Sequence, residues 1–344
     1  MDTLEAVLPV GEWTLYAWKS IPEPHHRLIY SKKSDSPDTL SCYTFLLKNP
    51  AAFVLALDIA VYQSTKHQTL FISKADSSGY AERLNAKQAI AWMIRDVLAT
   101  LPSDKPTRIC LTAKSKGEYL FLGSEDNPKK HVLTDAQLIR WWCSTLDACA
   151  ASLNAPRGRL YIAGLENREV STFLPKKSYW EPGDIFSVEG EWAIKCIPRF
   201  EDDPKNRFLH DIVGSHRAKE VSCTQFWFEL ATRQECNINS RLGIAGIEAA
   251  STIPHAPSPA ISLAEKTQLK YTRYKILTTT IMQGRYDTLE NATRSSLALE
   301  QLLPRGISLQ GTWRPEPKAI AAPESNKREI NTLQAGLVRK KKKL

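Results

Sequence analysis

Asp202-Asp203-Pro204-Lys205 carries the residue types for proton chemistry. Two neighbouring carboxylates and a close lysine move proton affinities in opposite directions, which is how a general base is poised. The same residues also read as a helix start, with Asp203 at the cap and Pro204 in the first turn. A capping Asp accepts backbone N–H bonds that favour its ionised form, and this makes it a weaker base. On residue types alone, capping is the commoner use of such a segment.

Other constellations point to a bound anion or an aromatic-walled cleft. Lys114, Lys116, Lys129, Lys130 and His131 could pair with the phosphates of a cofactor such as CoA, or form a solvated face. Ser73 to Tyr80 follows a predicted strand and precedes a predicted helix. Loops in that position offer N–H groups to phosphate or carbonyl oxygen, although the composition equally suits a polar turn. Trp141 and Trp142 fall on a helix, where adjacent residues point about 100° apart, so one of them can line a cleft while both can hardly face one core. Cys143 and Cys149 lie close by, but nothing in the sequence activates a thiol for a covalent route. GxGxxG, P-loop, GxSxG and HExxH motifs are absent, and Arg241 to Gly246 has the wrong spacing for the common acetyltransferase signature.

These groups need elements to hold them. Ala52 to Tyr62 reads as a buried strand and Thr69 to Ser73 as a second. Asn85 can cap a helix from Ala86 to about Thr100, with apolar residues at helical spacing. Arg108 to Ala113, Tyr119 to Leu122, Arg159 to Ala163 and Trp192 to Ile197 are strand candidates. Thr134 and Gln137 form a capping box for a helix through about Leu153. Asp203-Pro204 opens a helix towards Lys219, Ser222 opens another, and Lys266 to Leu303 is helical with a restart at Asp287-Thr288. Pro254 to Pro259 is a loop. The irregular alternation predicts an α/β (α+β) fold with a central mixed sheet wrapped by helices.

The 344 residues are 42% hydrophobic and 24% charged, the balance of a packed domain. The longest apolar run is too short to cross a bilayer, and acids stand where a signal peptide would be basic, so a soluble intracellular protein is expected. Seven cysteines without a CxxC pair suggest neither a zinc site nor a disulfide framework. The net charge is +9. From Ala321 onward, seven basic residues stand against two acids, so the basic character gathers in a tail fit for nuclear import or an acidic partner. Residues 1–313 are expected to form the catalytic domain, 314–326 a linker rich in Pro, Ala, Glu and Ser, and 327–344 the basic tail.

A set of islands adds a resemblance. Phe71 to Tyr80, Tyr119 to Phe121, Lys129 to His131, Trp141-Trp142, Gly183 to Phe186, Asp202 to Phe208, Phe226-Trp227, Tyr286 to Thr288 and Asn331 to Leu333 occur in that order. Together they resemble the fungal histone H3 lysine-56 acetyltransferases of the regulator-of-Ty-transposition type, related in fold to CBP-type coactivator acetyltransferases. The resemblance implies a lysine acetylase using acetyl-CoA, without a metal, on lysine 56 and N-terminal tail lysines of H3. It implies that Ala75, Asp76, Ser77, Arg83, Lys87, Thr112, Ala113, Lys114, Lys116, His131, Leu133 and Trp141 lie along the cofactor. Asp203, Asp202 and Asp76 match catalytic carboxylates, Trp142 the wall of the lysine channel, and Lys205 an autoacetylated lysine. It further implies histones H3–H4 as partners in the nucleus, delivered by the anti-silencing-function chaperone that the C-terminal tail engages. Some members carry a long insertion before the strand at Arg108 that docks a NAP-family chaperone. About seven residues stand there in this chain, which removes the basis for that docking. A non-enzymatic histone or nucleic-acid binding module using the basic tail is the alternative reading.

Overall fold

The computed structural model describes residues 3–25, 28–29, 38–201, 203–232, 241–254, 264–265 and 267–314. Asp202, Cys236, most of the 254–259 loop and nearly all of the linker and tail lie outside these residues. The strands are β1 (Gly11–Ser20), β2 (Glu23–His25), β3 (Asp38–Lys48), β4 (Phe53–Gln63), β5 (Gln68–Ser77), β6 (Thr107–Ala113), β7 (Leu153–Asn154), β8 (Arg157–Ile162), β9 (Trp180–Pro182), β10 (Gly243–Ala249), β11 (Ser251–Thr252), β12 (Gln268–Leu269) and β13 (Ile307–Gly311). The helices are α1 (Ala86–Leu98), α2 (Asp135–Cys149), α3 (Asn167–Val170), α4 (Ala193–Cys196), α5 (Pro204–Gly214), α6 (Cys223–Ala231), α7 (Tyr271–Ile281) and α8 (Leu289–Glu300).

Eleven strands form one sheet in the order β12-β1-β3-β4-β5-β6-β10-β8-β9, with β13 also on β1 and β2 on β3. The pairs β5–β6, β8–β9 and β1–β12 are parallel and the others antiparallel, so the sheet is mixed, as expected. In β4 every residue but Gln63 is buried, which requires covering layers on both faces. One layer joins Ile90, Met93 and Ile94 of α1 and Ile139, Cys143 and Leu146 of α2 to Phe45, Leu57, Ile72 and Leu111. The other joins α5 to α8, through Leu209, Phe226, Tyr274 and Ala292, to Trp18, Leu46, Phe71 and Cys110. Gly243 makes the first layer possible on β10, because a Cβ there would lie 2.7 Å from Ile139.

The helix starts follow the sequence. Asn85 accepts from the Gln88 amide, Thr134 and Gln137 close the capping box, and Asp203, Ser222 and Thr288 cap α5, α6 and α8. Five expectations are corrected, the first at the start of the 266–303 stretch, where Gln268–Leu269 pair with β1 and the helix begins only at Tyr271. The strand at Thr69 continues to Ser77, so Ser73 to Ser77 are sheet rather than loop. Tyr119 to Leu122 is not a strand, because the Tyr119, Leu120 and Phe121 amides all bond the Asp76 carboxylate instead of a neighbouring strand. Within Trp192 to Ile197, pairing is confined to one bridge at Ser222, and Ala193–Cys196 winds into a single helical turn. Helix α5 stops at Gly214, short of Lys219.

Candidate active site

Strand β5 reaches the cleft through an irregularity. Asp58 pairs with Lys74 but Ile59 pairs with Ile72, so Ser73 is an extra residue in the ladder. Such a bulge breaks the alternation of faces. Ile72 and Ala75 therefore both pack on the α1–α2 side, and Ala75 to Ser77 turn towards the cleft.

The cleft encloses about 530 Å³ between β5, the end of β6, the start of α1, the 114–119 and 130–133 segments, and α2. That is within the usual range for a small-molecule site. Of the residues expected along a cofactor, Ala75, Asp76, Ser77, Lys87, Thr112, Ala113, Lys114, Lys116, His131, Leu133 and Trp141 all line it. Arg83 does not: it is exposed, in the left-handed region at φ 61°, on the turn before α1. Both tryptophans line the cleft. Their rings meet edge to face with centroids 4.8 Å apart, Trp142 is buried and Trp141 is partly exposed.

Asp76 holds the wall together. Its Oδ2 accepts the Tyr119, Leu120 and Phe121 amides at 2.8, 2.8 and 3.1 Å. Its Oδ1 accepts Ser77 N and Lys130 Nζ, each at 2.8 Å. A carboxylate offers about four acceptor positions and five donors converge here, so the Asp76 side chain is taken up in positioning the wall. Gly79 is part of the arrangement, since at φ 83° a Cβ would lie 2.6 Å from Asn127 Nδ2 and 2.8 Å from Lys130 Cβ. Asp135 ties the base of α2 to the cleft by accepting Ser115 N at 2.6 Å and Arg241 N at 2.8 Å.

Asp203 and Lys205 lie beneath this floor. Their side chains are 0% and 1% exposed and form an ion pair. Asp203 Oδ1 also accepts Lys205 N at 3.1 Å, as a cap should, and Thr112 Oγ1 at 3.4 Å. Lys205 Nζ donates to Thr112 Oγ1 at 3.3 Å and lies 5.6 and 5.5 Å from the Phe186 and Phe200 ring centres. Thr112 is thus the contact between the pair and the cleft. Phe200 was missed in the sequence: it stacks on Phe71 at 4.2 Å, and spacing alone gives no sign of that. Burial pushes the Cys143 and Cys149 thiols up to about 12, which removes thiolate from the cleft's surroundings and speaks against a covalent cysteine route. No group of three or more His, Cys, Asp or Glu residues is placed to hold a metal ion among the described residues, and none of the described helices is long and apolar enough to cross a membrane.

Comparison with known proteins gives a consistent picture. The histone acetyltransferase KAT11-type domain matches residues 1–100 and 95–301. The histone acetyltransferase rtt109 of Schizosaccharomyces pombe is 29% identical over 259 residues, covering 70% of this chain and 68% of that protein. RTT109 of Candida albicans is 36% identical over 147 residues, covering 43% of this chain and 40% of its own length. The crystal structure of Rtt109 from Aspergillus fumigatus superposes with a TM-score of 0.73 at 22% identity, covering 90% of this chain and 98% of that one.

Proposed function

This chain belongs to the histone acetyltransferase KAT11-type family and is a fungal Rtt109-type histone lysine acetyltransferase, and from that premise we propose that its substrate is histone H3, modified at lysine 56 and at N-terminal tail lysines. Membership in an enzyme family removes the purely non-catalytic reading of the basic tail. The observation that carries the proposal is the cleft itself: one wall of paired tryptophans, a rim of lysines, and a buried carboxylate–ammonium pair under its floor.

The residues fit acetyl-CoA. Lys114 and Lys116 supply the positive rim that phosphates need and His131 a ring N–H donor, while Leu84, Leu138 and Trp141 supply an apolar slot for an extended arm. Lys87 is steadied by Ser144 Oγ at 3.2 Å and lines the same cleft. When bound, acetyl-CoA supplies a thioester carbonyl open to a neutral amine.

A substrate lysine must first lose its proton, because an ammonium has no lone pair. Trp142 and Trp141 form a wall that takes water away from an entering lysine, and desolvation disfavours its charged form. In this reading Asp203 does not meet that lysine directly: it is buried, and both its oxygens are engaged by Thr112 and Lys205. Its role in this reading is to hold Lys205 and Thr112 in place, with a water carrying the proton away. Lys205 is the proposed autoacetylation site. At 1% exposure it accepts an acetyl group only after the start of α5 opens.

The basic tail, residues 327–344, is proposed to engage the anti-silencing-function chaperone bearing H3–H4, in the nucleus. The test uses labelled acetyl-CoA and H3–H4, with and without that chaperone, against the intact chain, Trp142→Ala and a chain lacking 327–344. The reading expects label on H3 lysine 56, little label with Trp142→Ala, and chaperone-dependent loss with the shortened chain. Label confined to other histones, or equal turnover by all three proteins, would sink it.

A further inference from the structure

The sheet has a second cavity on its other face, under α7. It encloses about 310 Å³, and Tyr62, Phe71, Tyr271 and Tyr274 supply aromatic walls. Asp58 stands in the middle of β4 and lines this cavity, although its neighbours in sequence are uniformly buried and apolar. A charged group in that setting is retained only with partners. Its Oδ1 has them: Thr44 Oγ1 donates at 3.0 Å and the Tyr274 hydroxyl also donates. Its Oδ2 receives no hydrogen bond from the described residues.

The charges around the cavity decide which ligand would suit that oxygen. Two carboxylates and two lysines line it. Glu201 and Lys275 satisfy each other at 2.7 Å. Lys74, opposite Asp58 in the ladder, follows the bulged Ser73, acts on Asp58 by its charge and also lines the main cleft. An anion entering here would meet Asp58 at the base of the pocket. A cation would instead find the open oxygen and the faces of the aromatic rings.

We propose that this cavity is a second ligand site, for a compact organic cation whose ammonium donates to Asp58 Oδ2 while its apolar body lies against Tyr62, Phe71 and Tyr274. Burial pushes the Asp58 carboxyl above its ordinary value, against the pull of the Tyr274 and Thr44 hydrogen bonds and of the Lys74 and Lys275 charges. A bound ammonium would restore to that carboxylate what burial removes. The site lies on the opposite face of the sheet from the acetyl-CoA cleft, and its existence does not depend on the acetyltransferase reading.

The probe is phenethylammonium, titrated calorimetrically into the full chain beside two isosteres, neutral 2-phenylethanol and anionic phenylacetate. Binding is expected to be roughly tenfold or more tighter for the ammonium than for the alcohol, the range for a charge-assisted bond, with no detectable binding of phenylacetate. Asp58→Asn should remove that preference. Because Asp58 is buried, a second variant keeps the test independent of folding: Met282→Trp fills the cavity from its rim, where Met282 is 38% exposed, and should weaken phenethylammonium to a similar degree. Equal affinity for the three probes, no saturable binding of any, or unchanged binding in both variants would overturn the site.

Discussion

The buried pair beneath the cleft offers a quantitative test. Lys205→Met removes the ammonium while keeping an unbranched side chain of similar length among Phe186 and Phe200. The Asp203 side chain, 0% exposed, is then left with only Thr112 and the Lys205 amide. Breaking a buried pair by removing one partner costs about 3–5 kcal/mol, because the remaining charge stays desolvated. No discount for solvent applies to side chains this deeply buried. With unfolding entropy near 2.1 cal/mol/K per residue, the unit ending at Trp313 has about 0.65 kcal/mol/K, so Tm should fall by roughly 5–8 °C. The informative partner is Asp203→Asn/Lys205→Met. Asn caps a helix about as well as Asp, so the double variant keeps the α5 start and loses only the orphaned charge. It should recover most of the lost stability, to within about 1–2 kcal/mol of the parent. Thermal and urea unfolding of the four proteins complete the cycle. Additive losses, or a Lys205→Met protein that melts with the parent, would refute the idea that an uncompensated carboxylate dominates.

Other consequences follow from the same geometry. Asp76→Ala takes the acceptor from four backbone amides and the carboxylate partner from Lys130, and should cost about 3 kcal/mol or more in urea unfolding while raising KM for acetyl-CoA, whereas an unchanged KM would detach Asp76 from the cleft wall. Replacing Lys114 and Lys116 together by Ala should raise KM for acetyl-CoA at low salt, and the gap should narrow in high salt; a salt-independent gap would argue against phosphate pairing. Asp58 gives a pH signature. Burial raises its folded value above the ordinary 3.8, so its contribution to stability is complete below 3.8 and lost as pH rises through the folded value. The Tm of Asp58→Asn minus that of the parent should therefore climb with pH across that window, and a flat difference would contradict the shift.

Elements whose signals are local were legible in the sequence. The caps at Asn85, Thr134, Asp203, Ser222 and Thr288 depend on a side chain two or three residues from the amide it bonds, so short-range residue types suffice. The continuous apolar run of β4 likewise announced a strand covered on both faces. The strands β1, β3, β10 and β13 went unread. For β10 and β13 the partners come from distant parts of the chain, and β10 takes its place between β6 and β8 only in the assembled sheet. Tyr119 to Leu122 has the residues of a strand, but its amides are claimed by Asp76 from far upstream.

The site divides in the same way. Residue types alone showed that Asp202 to Lys205 could cap a helix or host a base, that Lys114, Lys116 and His131 could meet phosphates, and that a tryptophan pair was available for a cleft. The ordered islands tied these to one family. What surrounds the Asp203 carboxylate could only be decided by the fold. In the fold Asp203 caps α5 and is sealed against Lys205 beneath Thr112, while a single bulged residue, Ser73, turns β5 so that Ala75 to Ser77 reach the cleft. Capping is a contact within one turn of helix and can be read from neighbours in the chain. Burial, ion pairing and access to substrate are set by groups that only tertiary packing brings together.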